Sequence, residues 1–222
     1  MKGSEAIGEA AVRAGCLNYF AYLITPQSEM AEYLSRRLPE VGGVFLQGES
    51  EVAVSYMIFG AAAGGERVFT TSSSPGISLM SEGLSYIVAA QCTAVIVNIM
   101  RGGTGLGGIL PSQADYHQAN KGIGHGDFRL LVLALASVQE AVEMVMTAFP
   151  LAEKYRNPVM ILGDGLIGQM ALTTKPGQRR STSPQERNVE EVGLPIKMAE
   201  LLAALETPGY VTRQTVIMMW FK

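Results

Sequence analysis

The chain has 222 residues, 48% of them hydrophobic and 17% charged, which is enough for one sizeable core and too apolar for a disordered protein. Its formal net charge of -3 and its scattered Lys and Arg residues exclude an extended nucleic-acid surface. No uninterrupted apolar stretch is long enough to span a membrane, and no secretory signal is visible. We therefore expect a soluble, cytoplasmic protein.

The small number of ligating residues disfavours a metal centre in this chain. It contains two cysteines, Cys16 and Cys92, and two histidines without metal-ligand spacing. A four-cysteine iron–sulfur or zinc site cannot be built from these residues. We expect both cysteines to be buried packing thiols in a reducing compartment.

Strand-like and helix-like patterns alternate along the first 170 residues. Strands are predicted at 17–23, 44–47, 68–71, 94–100, 130–135 and 159–162. Helices are predicted at 4–15, from 27 or 28 to about 39, and at 51–63, 77–90 and 138–155. Such alternation requires crossover connections, so it predicts a three-layer α/β/α domain with a mostly parallel sheet.

The pattern fails after residue 170. Residues 171–222 begin with a segment rich in Pro, Ser, Arg and Lys, which is typical of a linker or extended arm. A short amphipathic helix and an apolar end follow. We predict a domain over 1–170 and a linker and tail over 171–222. The apolar end could be a strand or arm docked on a partner, or the chain could be truncated there.

In a parallel sheet, the loops that follow the strands share one edge, and open α/β proteins place their chemistry at that edge. Two carboxylates, Glu49 and Glu51, stand between the second strand and its helix. Acidic residues there are also common for dipole reasons alone. Arg101, directly after an apolar strand, suits bidentate capture of a substrate carboxylate, with a surface or interface ion pair as the alternative.

A glycine-rich motif, Gly103 to Gly108, satisfies G-x-G-x-x-G after a strand. A dinucleotide loop must open directly into a helix, whereas Ile109, Leu110 and Pro111 intervene here. The motif therefore argues weakly for an NAD-dependent dehydrogenase, which stays as an alternative. Gly163-Asp164-Gly165 is similar to the start of a thiamine diphosphate and magnesium motif, but its downstream Asn pair is missing. We interpret it as a strand-ending turn.

Six segments together resemble one family in their order along the chain: ITPQSE, GESEV, TSSSPGISLMSEG, VIVNIMRGG, GGILPSQADY and KYRNPVMIL. They resemble the pyrimidine-binding subunit of 2-oxoacid:ferredoxin oxidoreductases, which are thiamine diphosphate enzymes. The resemblance covers about residues 3 to 170. Three of these segments, ITPQSE, GESEV and GGILPSQADY, look most like the branched-chain, 3-methyl-2-oxobutanoate type. Pyruvate and 2-oxoglutarate are the alternative substrates.

The resemblance implies a thiamine diphosphate-binding fold and a role for each matching residue. A Glu that shares a proton with N1′ of the aminopyrimidine is expected at Glu51, nine residues before Gly60, with Glu49 as the alternate. Burial against apolar neighbours such as Val52 and Val54 would raise the pKa of this carboxyl. Substrate binding is implied for Thr25 and Arg101, and cofactor binding for Ser74, Pro75 and Gly76.

The resemblance also implies partners. The diphosphate-binding domain, Mg²⁺, the iron–sulfur clusters and the coenzyme A site are expected on other subunits, namely a diphosphate-binding subunit, a ferredoxin-like subunit and a further small one. The reaction that the resemblance implies is oxidative decarboxylation of a 2-oxoacid to an acyl-coenzyme A with ferredoxin as acceptor. Leu23, Ser74 and Thr104 depart from the usual residues, so a non-catalytic scaffold subunit is the alternative.

Overall fold

One parallel sheet forms the centre of this computed structural model, which describes residues 1–170 together with Met218 and Met219. Within these residues the strands are β1 (Asn18–Ala21), β2 (Val44–Gln47), β3 (Val68–Ser72), β4 (Val95–Met100), β5 (Leu131–Ala134), β6 (Val159–Asp164) and β7 (Met218–Met219). They lie in the order β2-β1-β3-β4-β6-β5-β7, and every neighbouring pair is parallel. The predicted parallel α/β fold is confirmed.

Helices cover both faces of the sheet. In the described part they are α1 (Gly3–Arg13), α2 (Ser28–Glu40), α3 (Glu51–Ala63), α4 (Ser74–Ala89), α5 (Tyr116–Lys121), α6 (Val138–Tyr155) and α7 (Gly165–Gln169). α1, α2 and α6 pack on one face, and α3 and α4 on the other. None of the helices in this part of the chain has the length and apolar character that a membrane span requires.

The structure differs from the predicted elements at several boundaries. α4 begins at Ser74 rather than Ile77, because Pro75 fits the first turn of a helix, where its missing N–H costs nothing. α5 and α7 were not predicted, since each is too short to show a helical period. β6 extends to Asp164, whose carboxylate accepts bonds from the Leu166 and Ile167 amides and starts α7. The interpretation of this segment as a simple turn was incomplete.

Part of the apolar end of the chain joins this chain's own sheet. Met218 and Met219 of β7 pair with Val132 and Leu133 of β5. The predicted linker, the predicted amphipathic helix and the remainder of the tail lie outside the described residues. The domain boundary at residue 170 therefore stays a prediction.

β4 lies in the middle of the sheet and is buried on both faces, as its β-branched sequence predicts. Val95, Val97 and Ile99 face the α1, α2 and α6 layer, whereas Ile96 and Met100 face α3 and α4. The predicted buried thiols are also found, since both cysteines are free and buried. Burial raises the pKa of the Cys16 thiol to about 12, so it stays protonated.

α3 is apolar on both of its faces. Two of its apolar side chains lie on the outer side, where Val52 is 44% exposed and Tyr56 is 43% exposed. The helix buries Glu51, Val54, Ser55, Ile58 and Ala62. It approaches α4 closely at Gly83, where an added Cβ would lie 2.0 Å from Ser55 Oγ.

A buried carboxylate joins α1 to α2. Glu9 accepts hydrogen bonds from Tyr33 Oη at 2.8 Å, Arg37 Nε at 3.0 Å and Arg13 Nε at 2.8 Å. Burial raises the pKa of the Glu9 carboxyl, but these hydrogen bonds outweigh burial and hold the pKa below its ordinary value of 4.5. The charged form of Glu9 therefore stabilises the fold.

Because the Glu9 pKa is depressed in the folded state, its contribution is present above the unfolded pKa and is lost as pH falls through the folded pKa. We expect Glu9→Gln to lower the free energy of unfolding by about 1 to 3 kcal/mol near neutral pH. The difference from wild type should shrink as pH falls below 4.5. Urea unfolding across this pH range measures it.

Glu32→Gln is the control for this experiment, since Glu32 forms an exposed ion pair of 3.8 Å with Arg36 on α2. We expect this variant to match wild type within about 0.5 kcal/mol at all pH values. A Glu9→Gln variant whose deficit persisted unchanged into acid would contradict the assignment.

Candidate active site

Four loops with distinctive residues meet at the carboxyl edge of the sheet. β2, β1, β3 and β4 are consecutive neighbours, and parallel pairing places their carboxyl ends side by side. Thr25 follows β1, Glu51 follows β2, Ser74 follows β3 and Arg101 follows β4. The sheet order therefore collects the residues that the sequence singled out.

Glu51 is the first residue of α3. The helix starts there because Ser50 Oγ accepts a hydrogen bond of 3.2 Å from the Ala53 amide. The Glu51 residue is only 5% exposed, and its carboxylate forms no hydrogen bond or ion pair with another described residue. Glu49, the alternate, is exposed. Of the two expected apolar neighbours, Val54 is fully buried, whereas Val52 is 44% exposed.

The absence of a side chain at Gly76 makes room for this carboxylate. A Cβ at Gly76 would lie 2.8 Å from Glu51 Oε1 and 2.0 Å from Ser72 Oγ. The hydroxyl of Ser72 is fully buried and has no hydrogen-bond partner in the described part of the protein. Glu51 and Ser72 thus converge on the first turn of α4.

That turn also holds Arg101. Ser74 Oγ accepts a hydrogen bond of 3.0 Å from the Arg101 amide and donates one of 3.3 Å to its carbonyl. Ser74, Pro75 and Gly76, which precede the helix predicted at 77–90, are the first helical turn of α4. A single turn therefore touches both the carboxylate and the residue that carries the guanidinium.

The guanidinium of Arg101 lies inside the protein. Arg101 is 6% exposed, its Nη1 donates to the Thr25 carbonyl at 2.9 Å, and its Nη2 donates to the Leu106 carbonyl at 2.8 Å. Its Nε is buried without a partner among the described residues. Arg101 forms no ion pair with another described residue. The described part of the structure therefore does not support the alternative of a surface ion pair.

Two buried polar networks at this edge were not predicted. Gln27 and Thr71, both fully buried, join at 2.6 Å between Thr71 Oγ1 and Gln27 Oε1, and Tyr19 Oη lies 2.6 Å from Thr71 Oγ1. Gln27 Nε2 also donates to the Tyr22 carbonyl, so the network fixes the loop that carries Thr25. Burial raises the pKa of Tyr19, which keeps this hydroxyl neutral.

In the second network, Asn98 Nδ2 donates to Asp115 Oδ2 at 2.8 Å, while Asn98 Oδ1 has no partner among the described residues. Asn98 is in register with Ser72. One signal could have revealed it, since an Asn inside an otherwise apolar buried strand needs a polar partner.

The glycine-rich motif does not form a dinucleotide loop. Its backbone folds back on itself, with the Gly102 amide bonded to the Leu110 carbonyl at 3.1 Å and the Gly108 amide bonded to the Gly102 carbonyl at 2.8 Å. The next helix, α5, begins only at Tyr116. The absence of a helix directly after the motif, which disfavours NAD binding, is confirmed.

These residues fit the pyrimidine half of thiamine diphosphate. A buried carboxylate without a hydrogen-bonding partner can share a proton with a ring nitrogen. Because Gly76 has no side chain, a ring beside this carboxylate can contact the Gly76 backbone. Residues 1–170 contain no cluster of His, Cys, Asp or Glu that could hold a metal ion. The described residues are therefore suited to bind the organic part of the cofactor rather than its metal ion.

Comparison with known proteins shows a thiamine diphosphate-binding family. Residues 9–217 match the family described as pyruvate flavodoxin/ferredoxin oxidoreductase, thiamine diphosphate-binding. The ketoisovalerate oxidoreductase subunit VorB of Methanothermobacter thermautotrophicus is 54% identical over 171 residues, which are 77% of this chain and 49% of that protein. The 2-oxoglutarate synthase subunit KorA of Methanocaldococcus jannaschii is 40% identical over 77% of this chain and 46% of that protein.

A solved structure shares the fold. The 2-oxoglutarate:ferredoxin oxidoreductase from Magnetococcus marinus, with 2-oxoglutarate, coenzyme A and succinyl-CoA bound, matches with a TM-score of 0.74 and 35% identity over 76% of this chain and 30% of that chain. The chain spans about half the length of the curated relatives it matches. It belongs to the thiamine diphosphate-binding family of pyruvate flavodoxin/ferredoxin oxidoreductases.

Proposed function

We propose that this chain is the pyrimidine-binding part of a 2-oxoacid:ferredoxin oxidoreductase. The complex would convert a 2-oxoacid to an acyl-coenzyme A by oxidative decarboxylation, with ferredoxin as electron acceptor. One observation carries the proposal. Glu51 is a buried residue whose carboxylate has no hydrogen-bonding partner in the described part of the chain, and this carboxylate lies beside Gly76. Burying such a group is unfavourable unless a partner arrives, and an aminopyrimidine provides one.

Thiamine diphosphate, when bound, stabilises the negative charge that develops as a 2-oxoacid loses carbon dioxide. Glu51, which is 5% exposed, would hold a proton at N1′ of the aminopyrimidine ring. Gly76 would contact the ring, with Ser74 and Pro75 positioning the turn. Ser72 places a second polar group beside the carboxylate.

Arg101 would bind the carboxylate of the 2-oxoacid, and Thr25 would place its exposed hydroxyl near the oxo group. Arg101 already contacts the Thr25 carbonyl, so the two residues share one site. We favour a branched-chain substrate, because the relative at 54% identity is a ketoisovalerate oxidoreductase subunit. Relatives at about 40% identity are 2-oxoglutarate synthase subunits, which keeps 2-oxoglutarate, along with pyruvate, as an alternative.

We further propose that other subunits complete the enzyme in the cytoplasm: a diphosphate-binding subunit that holds Mg²⁺, a ferredoxin-like subunit with iron–sulfur clusters, and a small subunit. Two features support partners. Relatives of this chain are named as subunits of oxidoreductases, and α3 and α4 expose an apolar face. In that face Tyr86 is 47% exposed and its ring lies 5.9 Å from that of Tyr56. No nucleic acid or membrane is involved.

The role of Glu51 is tested in the complex reconstituted with its partner subunits. We expect Glu51→Gln to lower turnover of 3-methyl-2-oxobutanoate by about 100-fold or more, because Gln cannot exchange the proton. Glu49→Gln is the matched control, since Glu49 is exposed two residues away, and should retain wild-type turnover. If the Glu51→Gln complex kept wild-type turnover, as expected for the Glu49→Gln control, the proposal would be overturned and a scaffold role favoured.

The apolar face is tested by assembly. Tyr86→Glu should weaken binding of the diphosphate-binding subunit by about tenfold or more, because an exposed aromatic pair of this kind anchors interfaces and a charge would be desolvated there. Met146→Glu is the control, because Met146 is 44% exposed on α6, on the opposite layer. Titration followed by analytical ultracentrifugation measures both affinities. Identical affinities would exclude this face from the interface.

A further inference from the structure

We propose that the loop of residues 102–110, called the flap below, occupies the substrate-carboxylate subsite with the carbonyl of Leu106 until a 2-oxoacid displaces it. The inference rests on the proposed function, because it takes Arg101 as the group that binds the substrate carboxylate. Leu106 would then act as a built-in competitor whose removal sets the apparent affinity for substrate.

The guanidinium contacts divide into two edges. Nη1 is fixed by the Thr25 carbonyl at 2.9 Å. On the opposite edge, Nε–H and an Nη2–H point the same way and form the fork that matches two carboxylate oxygens. Nη2, one of the two donor atoms of this fork, donates to the Leu106 carbonyl at 2.8 Å, and the other, the buried Nε, has no partner among the described residues.

A single carbonyl therefore satisfies half of a site shaped for a carboxylate. A 2-oxoacid carboxylate could accept from both Nε and Nη2 in a bidentate pair, and its negative charge adds an attraction to the guanidinium that a neutral carbonyl lacks. The exchange would also satisfy the buried Nε, which is costly to leave without a partner. The guanidinium thus favours the substrate over the flap once the flap has opened.

The flap is held by few contacts. Its large side chains are not packed, since Leu106 is 77% exposed, Ile109 63% and Leu110 75%. Besides the bond to Arg101, it is held by the Gly102–Leu110 and Gly108–Gly102 backbone bonds. Segments with so little buried apolar area open at low free-energy cost. The substrate can therefore reach Arg101, with its apparent affinity reduced by the fraction of molecules that are open.

One glycine makes the closed flap possible. Gly107 has a φ of +63°, and a Cβ there would lie 1.7 Å from the Gly102 carbonyl oxygen, a backbone atom that cannot rotate away. Gly108, its neighbour, has a φ outside the left-handed range and no atom within 4 Å of its Cβ position. The two positions therefore form a matched pair, of which only Gly107 requires glycine.

The test compares Gly107→Ala with Gly108→Ala in the reconstituted complex, with 3-methyl-2-oxobutanoate as substrate. Gly107→Ala should disfavour the closed flap and lower KM by about three- to tenfold with kcat little changed. Gly108→Ala should keep KM within about twofold of wild type. A KM for Gly107→Ala that is unchanged or raised would overturn the inference, since a merely structural role raises it.

Hydrogen–deuterium exchange provides a second readout that does not depend on turnover. Adding 3-methyl-2-oxobutanoate to the wild-type complex should increase deuterium uptake in residues 102–110, and Gly107→Ala should show that increase without substrate. Unchanged or decreased uptake would count against the flap. If the wild-type complex turns over no 2-oxoacid, the proposed function fails by itself, whereas the exchange comparison still decides whether the flap is displaced.

Discussion

The missing side chain at Gly76 is the steric constraint on which the rest of the candidate site depends. It lets the first turn of α4 come against the carboxylate of Glu51, and Ser74, two residues earlier, bonds the backbone of Arg101. The acid and the guanidinium are thus held relative to each other by one helical turn. Since that turn starts directly after β3, the position of both groups follows from the sheet.

Much of this architecture could be predicted from periodicity. Six strands and five helices were located because each was long enough to show its pattern, and the shared loop edge follows from parallel pairing. The misses have physical reasons. α5 and α7 have too few residues for a period, and the start of α4 was misplaced because Ser74, Pro75 and Gly76 also have turn propensities.

The residues of the candidate site could be singled out from the sequence, whereas their contacts could not. Glu51, Thr25 and Arg101 stand at strand ends and match family segments, so the sequence singles them out. The partners of Arg101 are main-chain carbonyls, to which any residue type contributes equally. Gln27 and Thr71 are 44 residues apart and meet only because β1 and β3 are neighbours. No local pattern encodes such a contact.

α3 shows how a charge can be placed inside a protein by shape. Because both sides of this helix are apolar, an orientation rotated by 180° about the helix axis would bury nearly as much apolar surface as the observed one. The turned helix would expose Glu51, which solvation favours. Close contact between Ser55 and Gly83 opposes that rotation. The protonation chemistry proposed for this chain therefore depends on the orientation of a helix that two small residues fix.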